Sequence, residues 1–265
     1  MSRSKYERII EKLFFDRYSG ETANLQFERE DIASAAEKLG LSPPKNLGDV
    51  IYSYRYRRPM PESVCETAGT GHVWVIRSTA RGQYCFAHVR DIVLEPNPNL
   101  VATKIPDSTP GVIDMYALGD EQALLAKVRY NRLVDIFTGL TCYSLQNHLR
   151  TAIAGVQVET DEVYVGIDSH GVHYVLPVQA KGESEALGRI QFEQDIEVCR
   201  EKFGRLIPRL IGTQFTESGL IALFELQETD EGFGVVNEKH YRLVPPEEFS
   251  EEELREYQRR VHNRP

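Results

Sequence analysis

Three extended segments in succession constrain this chain more than any other feature: TCYSLQNHLRTAI (residues 141–153), VQVETDEVYVGID (156–168) and HYVLPVQAKG (173–182). Ser169-His170-Gly171 separates the second from the third, a tight turn of the kind that joins antiparallel neighbours. A helical stretch precedes them, DEQALLAKVRYNRLVDIFTGL, with Ala126, Tyr130, Leu133 and Phe137 on one stripe. Another comes after them, ALGRIQFEQDIEVCREKFG, with Phe192, Ile196, Cys199 and Phe203 on one face. LIPRLIGTQF and LIALFELQE are apolar runs suited to buried strands, and a last strand (YRLV) and a Glu-rich tail helix (PEEFSEEELREYQRR) close the chain. The order α-β-β-β-α-β implies an α/β fold of the α+β kind, with one mixed sheet flanked by helices.

The first 94 residues read differently. SKYERIIEKLFFDRY places Tyr6, Ile10 and Leu13 at helical spacing. FEREDIASAAEKLGL is a short extended lead-in and a helix, with Glu30 or Asp31 near its start and Gly40 at its stop. NLGDVIYSYRYR is a further helix with Asn46 as N-cap. HVWVIRS and GQYCFAHV are strand-like, separated by Thr79-Ala80-Arg81-Gly82. Helices followed by a hairpin is the order of a winged helix-turn-helix domain over residues 1–94. Residues 95–119, rich in Pro, Asn and Gly, read as a linker, and residues 120–265 as the second domain.

The net charge of −9 is uneven: residues 1–94 hold 14 basic and 12 acidic groups, whereas the remainder holds 17 and 28. Phosphate affinity depends on local clusters rather than totals. Tyr52-Ser53-Tyr54-Arg55-Tyr56-Arg57-Arg58 interleaves aromatics with arginines at the end of the expected recognition helix. Lys45, Tyr54, Arg55, Arg57, Arg58, Arg77 and Arg81 are therefore the candidate DNA contacts, while Tyr52 and Tyr56 read equally well as packing residues. Four scattered cysteines with no C-x-x-C pair indicate neither zinc nor a disulfide framework. With no long apolar run and no signal-peptide pattern at the N-terminus, a cytoplasmic protein that does not span a membrane is expected. No phosphate-loop or nucleophile-elbow motif occurs.

The chemistry-bearing residues are Glu159-Thr160-Asp161-Glu162 on one strand and Gln179-Ala180-Lys181 at the end of the next. Alternation points Gln179 and Lys181 the same way, puts Glu159 on the face of Asp161, and sends Glu162 to the other. Carboxylate and carbonyl oxygens beside an ammonium suit metal-assisted phosphodiester hydrolysis: oxygens hold a hard cation, and the ammonium orients water or offsets charge on the phosphorane. The bland reading, solvated charges at a strand end, stays open.

In this setting residues 120–225 resemble the PD-(D/E)XK nuclease superfamily, whose core is a restriction-endonuclease-like αβββαβ unit. The resemblance implies that Asp161 binds metal, that Lys181 is catalytic, and that Gln179 stands where Asp or Glu is usual. It further implies Glu121 as another metal carboxylate and Gln191 as an accessory residue near the start of the second helix. The neutral Gln179 removes one negative charge, so Glu159 becomes the substitute ligand and Glu162 a lesser accessory. The function implied is that of a Mg²⁺-dependent endonuclease (Mn²⁺ substituting) cutting double-stranded DNA, of restriction or bacterial defence type. Cutting both strands suggests a homodimer, and a restriction role a methyltransferase encoded nearby. Two rivals stand beside it: a non-catalytic DNA-binding regulator with a degenerate nuclease fold, and a structure-specific repair nuclease.

Overall fold

The computed structural model describes residues 4–20, 24–92, 94–116, 121–183, 185–216, 218–229 and 232–262. Helix α1 (Lys5–Phe15) starts at a capping box in which Ser4 and Glu7 satisfy each other's backbone N–H groups. Strand β1 (Leu25–Glu28) leads into α2 (Arg29–Lys38); α3 (Leu47–Tyr56) and the single turn α4 (Glu62–Cys65) come next. The Asn46 side chain accepts from the Gly48 N–H at the start of α3, a cap worth about 1 kcal/mol. Strands β2 (His72–Ala80) and β3 (Gln83–Arg90) complete a three-stranded antiparallel sheet in the order β1-β3-β2. Phe14, packed edge-on against both Trp74 and Phe86, joins helices to sheet in one core.

The stretch read as a linker contains regular structure. Strand β4 (Thr103–Pro106) and helix α5 (Gly111–Tyr116) lie within it, and β4 forms one edge of the large sheet. Helices α6 (Glu121–Tyr130) and α7 (Leu133–Thr138) precede strands β5 (Thr141–Ile153), β6 (Val156–Ile167) and β7 (His173–Lys181). The chain continues through helix α8 (Arg189–Lys202), the short β8 (Ile207–Pro208), β9 (Leu210–Phe215), β10 (Ile221–Thr229), β11 (Gly232–Val244) and α9 (Glu251–His262). The path through this eight-stranded sheet is β4-β11-β10-β9-β7-β6-β5, with β8 paired to β7. It is mixed: β7 with β8, β7 with β9, and β4 with β11 run parallel, the other pairs antiparallel. Alternate residues of β7 and β10 feed opposite faces: Leu176, Val178 and Leu223 pack with α6 and α7, whereas Val175 and Phe224 join clusters containing α8 residues.

The single helix expected before β5 is broken. Arg132 takes a left-handed conformation (φ 50°) between α6 and α7. Asn131, buried beside it, accepts from the Ser108 N–H and donates to Thr109 Oγ1 and the Lys127 carbonyl, binding the preceding segment to the break. Helix α6 consequently buries Ala123, Leu124, Leu125 and Val128, and Tyr130 of the expected stripe is 42% exposed. Among the described residues no helix is long and apolar enough to cross a membrane.

Candidate active site

Strands β6 and β7 pair from Ile167↔His173 to Glu162↔Val178 and then separate. β7 continues to Lys181 beside β9 alone. Asp161 occupies the point of separation and has no register partner on β5 or β7. One of its carboxylate oxygens accepts the Ala180 N–H at 2.8 Å, replacing the strand carbonyl that would otherwise satisfy it. An orphaned N–H here would cost about 1–3 kcal/mol. On β5 the facing His148 also has positive φ, 48°.

The separation breaks the alternation on which the face assignment relied. Thr160 donates to Asp195 of α8 at 2.6 Å, whereas Glu162 receives Arg129 of α6 at 2.9 and 3.0 Å. Residues two apart thus point to opposite sides of the sheet, and Thr160 through Tyr164 are all buried. Glu162 lies on the far side, as expected, in an ion pair that also takes the Ser144 hydroxyl.

Glu121, Glu159, Asp161, Lys181 and Gln191 line one cleft of about 430 Å³. Lys181 is ion-paired to Glu121 at the start of α6. Burial works to lower the lysine's pKa, but the hydrogen bond and charge of Glu121 outweigh it and hold the ammonium above its ordinary value. Burial raises the Glu121 carboxyl against the pull of Lys181, with Asp161 and Glu185 adding to the rise. Asp161 is raised by burial and by Glu159, against the Ala180 N–H and Lys181. Burial is the largest influence on all three groups, and the neighbouring charges act on top of it.

Gln179 is wholly buried and does not line the cleft. Its Oε1 accepts from Gln191 at 2.7 Å and its Nε2 donates to Asp195 at 2.9 Å, so both ends of the amide are committed to α8. Burial pushes Asp195 up to about 7, against the hydrogen bonds from Thr160 and Gln179. Glu159 stands at the rim, beside Arg150 at 3.0 Å and His148 at 3.4 Å.

A hard divalent cation is chemically suited to the Asp161, Glu121 and Glu159 oxygens, and burial is the chief cause that raises the Asp161 and Glu121 carboxyls. As placed, no three His, Cys, Asp or Glu side chains among the described residues stand close enough to enclose a metal.

The opposite wall comes from α3: Tyr52, Arg55, Tyr56 and Arg57. Tyr54, expected to contact DNA, is instead packed in the N-terminal core. Helical phase explains the correction, because Val50, Ile51 and Tyr54 share the buried face and Tyr52, 48% exposed, takes the opposite one. Arg77 is forked onto Glu193 of α8 at 2.6 and 2.8 Å. Lys45, Arg58 and Arg81 are exposed and lie outside the cleft. A second cavity, of about 450 Å³, lies between β2 and α8 and is largely apolar, with Val156, Val158, Ile190 and Phe233 in its walls. It gathers no carboxylate–lysine pair and is the weaker candidate for chemistry.

His148, Glu185, Gln194 and Asp195 were not found by motif reasoning. The first two line the cleft from a positive-φ position of β5 and from a loop, and the last two sit in a helix whose polar residues gave no spacing signal. Comparison with family models, curated proteins and solved structures finds no match to the chain.

Proposed function

We propose that this protein is a metal-dependent endonuclease acting on DNA, with its phosphodiester chemistry centred on Asp161 and Lys181. The observation that carries the reading is the separation of β6 from β7. It brings an anchored carboxylate, a lysine from the adjacent strand and a second carboxylate into one cleft. Asp161 and Glu121 are the carboxylates that would hold Mg²⁺, together with water and substrate oxygens, and Glu159 would have to leave its rim partners to join them. The bound ion would offset phosphate charge and ease ionisation of the attacking water. Asp161 is fixed by the Ala180 N–H, so its second oxygen is free to face the cleft. Lys181, kept protonated by Glu121, acts as a hydrogen-bond donor to the water or to the developing phosphorane oxygen rather than as a base. Glu121 orients that ammonium. The restriction or defence setting, the homodimer and a neighbouring methyltransferase remain part of this proposal.

The rival of a non-catalytic DNA-binding protein is favoured by one observation: Gln179 is spent on α8 and offers nothing to a metal. Incubating purified protein with supercoiled plasmid in Mg²⁺, Mn²⁺ or EDTA separates the two. Nicked or linear product with the ions and none in EDTA is expected; intact plasmid throughout, with DNA still bound, would establish the rival.

A further inference from the structure

The two halves of the chain are fastened to each other around the cleft. Arg77 of β2 holds Glu193 in a bidentate fork, Tyr56 donates to Gln194 at 3.0 Å, and Arg189 donates to the Arg90 carbonyl at 2.6 Å. Helix α3 consequently turns Tyr52, Arg55 and Tyr56 toward the carboxylates and Lys181. A helix that reads a major groove needs that face free, and the groove it enters is about 12 Å wide. The cleft's roughly 430 Å³ is instead within the range of a small-ligand site.

Its α3 wall carries the chemistry of a base platform. The rings of Tyr52 and Tyr56 lie 5.1 Å apart, centre to centre. The Arg57 guanidinium stands 4.8 Å over the Tyr52 ring and that of Arg55 stands 4.9 Å over Tyr56. Unpaired bases stack on tyrosine faces and guanidinium planes whatever their sequence. Arg55 gives Nη1 to Ser78 at 2.8 Å, while its buried Nε meets no acceptor.

We propose that the cleft takes its DNA as an unpaired strand, with a base held against Tyr52 and Tyr56 and the adjoining phosphate directed toward Lys181 and Asp161. This rests on the nuclease reading of those two residues for its chemistry but not for its binding. An unpaired strand threads between the fastened halves, whereas a duplex must first part the Tyr56–Gln194 contact.

The test uses the full chain in EDTA, with fluorescence anisotropy of a short labelled oligothymidylate and of the same strand annealed to oligoadenylate. The single strand should bind at least tenfold more tightly. Tyr52→Ala should weaken it roughly ten- to a hundredfold, and Tyr52→Phe by little. Tighter binding of the duplex, no binding of the strand, or indifference to Tyr52→Ala would overturn the inference. Cleavage in Mg²⁺ then separates it from the reading beneath it. A protein that cuts duplex without preferring single strands keeps the nuclease and loses this proposal. One that binds single strands through Tyr52 yet cuts nothing keeps this proposal and loses the nuclease.

Discussion

Two kinds of buried acid occupy the eight-stranded sheet and the helix packed on it, and they differ in what meets them. Glu162 and Glu225 are each gripped by a guanidinium: Arg129 at 2.9 and 3.0 Å, and Arg209 at 2.6 and 2.7 Å. Asp161 and Asp195 are also buried but face only neutral donors directly, and both are raised by burial. Burial of a carboxylate is expensive unless it is paired. The first kind holds the sheet together, and the second stores a demand for positive charge or a proton where β6 leaves β7.

The sharpest way to break this contrast is Lys181→Ala, which removes a cation at the unpaired end. Cleavage should fall about 10²–10³-fold, measured as plasmid nicking, while DNA binding holds. A near wild-type rate would show that the separated strands are not a reaction centre. At the paired end, Arg209→Met strands Glu225 without its partner. We expect a loss of about 3 kcal/mol in urea unfolding, seen as a lower midpoint at constant slope.

Asp195 tests the unpaired class by pH. The unfolded carboxyl titrates near about 3.9 and the folded one at about 7. Between those values the folded state keeps a proton that the unfolded state has released, so stability falls as pH rises across the window and levels off above it. The slope is at most about 1.4 kcal/mol per pH unit. Asp195→Asn should flatten the profile; an unchanged slope would place the titration elsewhere. The smallest effect is expected from Glu159→Gln at the exposed rim, whose pairs with Arg150 and His148 are solvated. Stability should move by less than about 0.5 kcal/mol, and a larger loss would blur the two classes.

Much of the scaffold could be read in advance, because hydrophobic spacing reports on burial. The face of α8 carrying Phe192, Ile196 and Cys199, the hairpin of β2 and β3, and the cap at Asn46 all arise from local chemistry. Asp161 within β6, Glu121 at the start of α6 and Lys181 at the end of β7 were also legible as residue types, and the structure brings them to one cleft. What escaped depends on departures from regularity. Alternation assumes an unbroken ladder, so it could not foresee Thr160 and Glu162 on opposite sides. Helical spacing assumes continuity, so the left-handed Arg132 shifted the buried stripe of α6. Gln179 was placed near the metal by motif position, yet its partners come from α8, and no spacing within β7 announces them. Tyr52 and Tyr54 differ by two positions on one helix, and only the packing of Val50 and Ile51 decides which faces the cleft.

The parallel pairing of β4 with β11 bears on how the protein is born. Thr103 lies opposite Tyr241, and the Lys104 N–H donates to the Tyr257 hydroxyl of α9. A strand emerging early from the ribosome must therefore wait for partners near the far end of the chain. The N-terminal core, drawn from residues 9–86, has no such wait and can close first, since domains fold largely as units during synthesis. Tyr52 and Arg55 would then be in position well before Lys181 arrives opposite them. The sheet edge is sealed last, and during that interval β4 is an unpaired strand. The distance along the chain between its pairing partners makes that closure entropically costly.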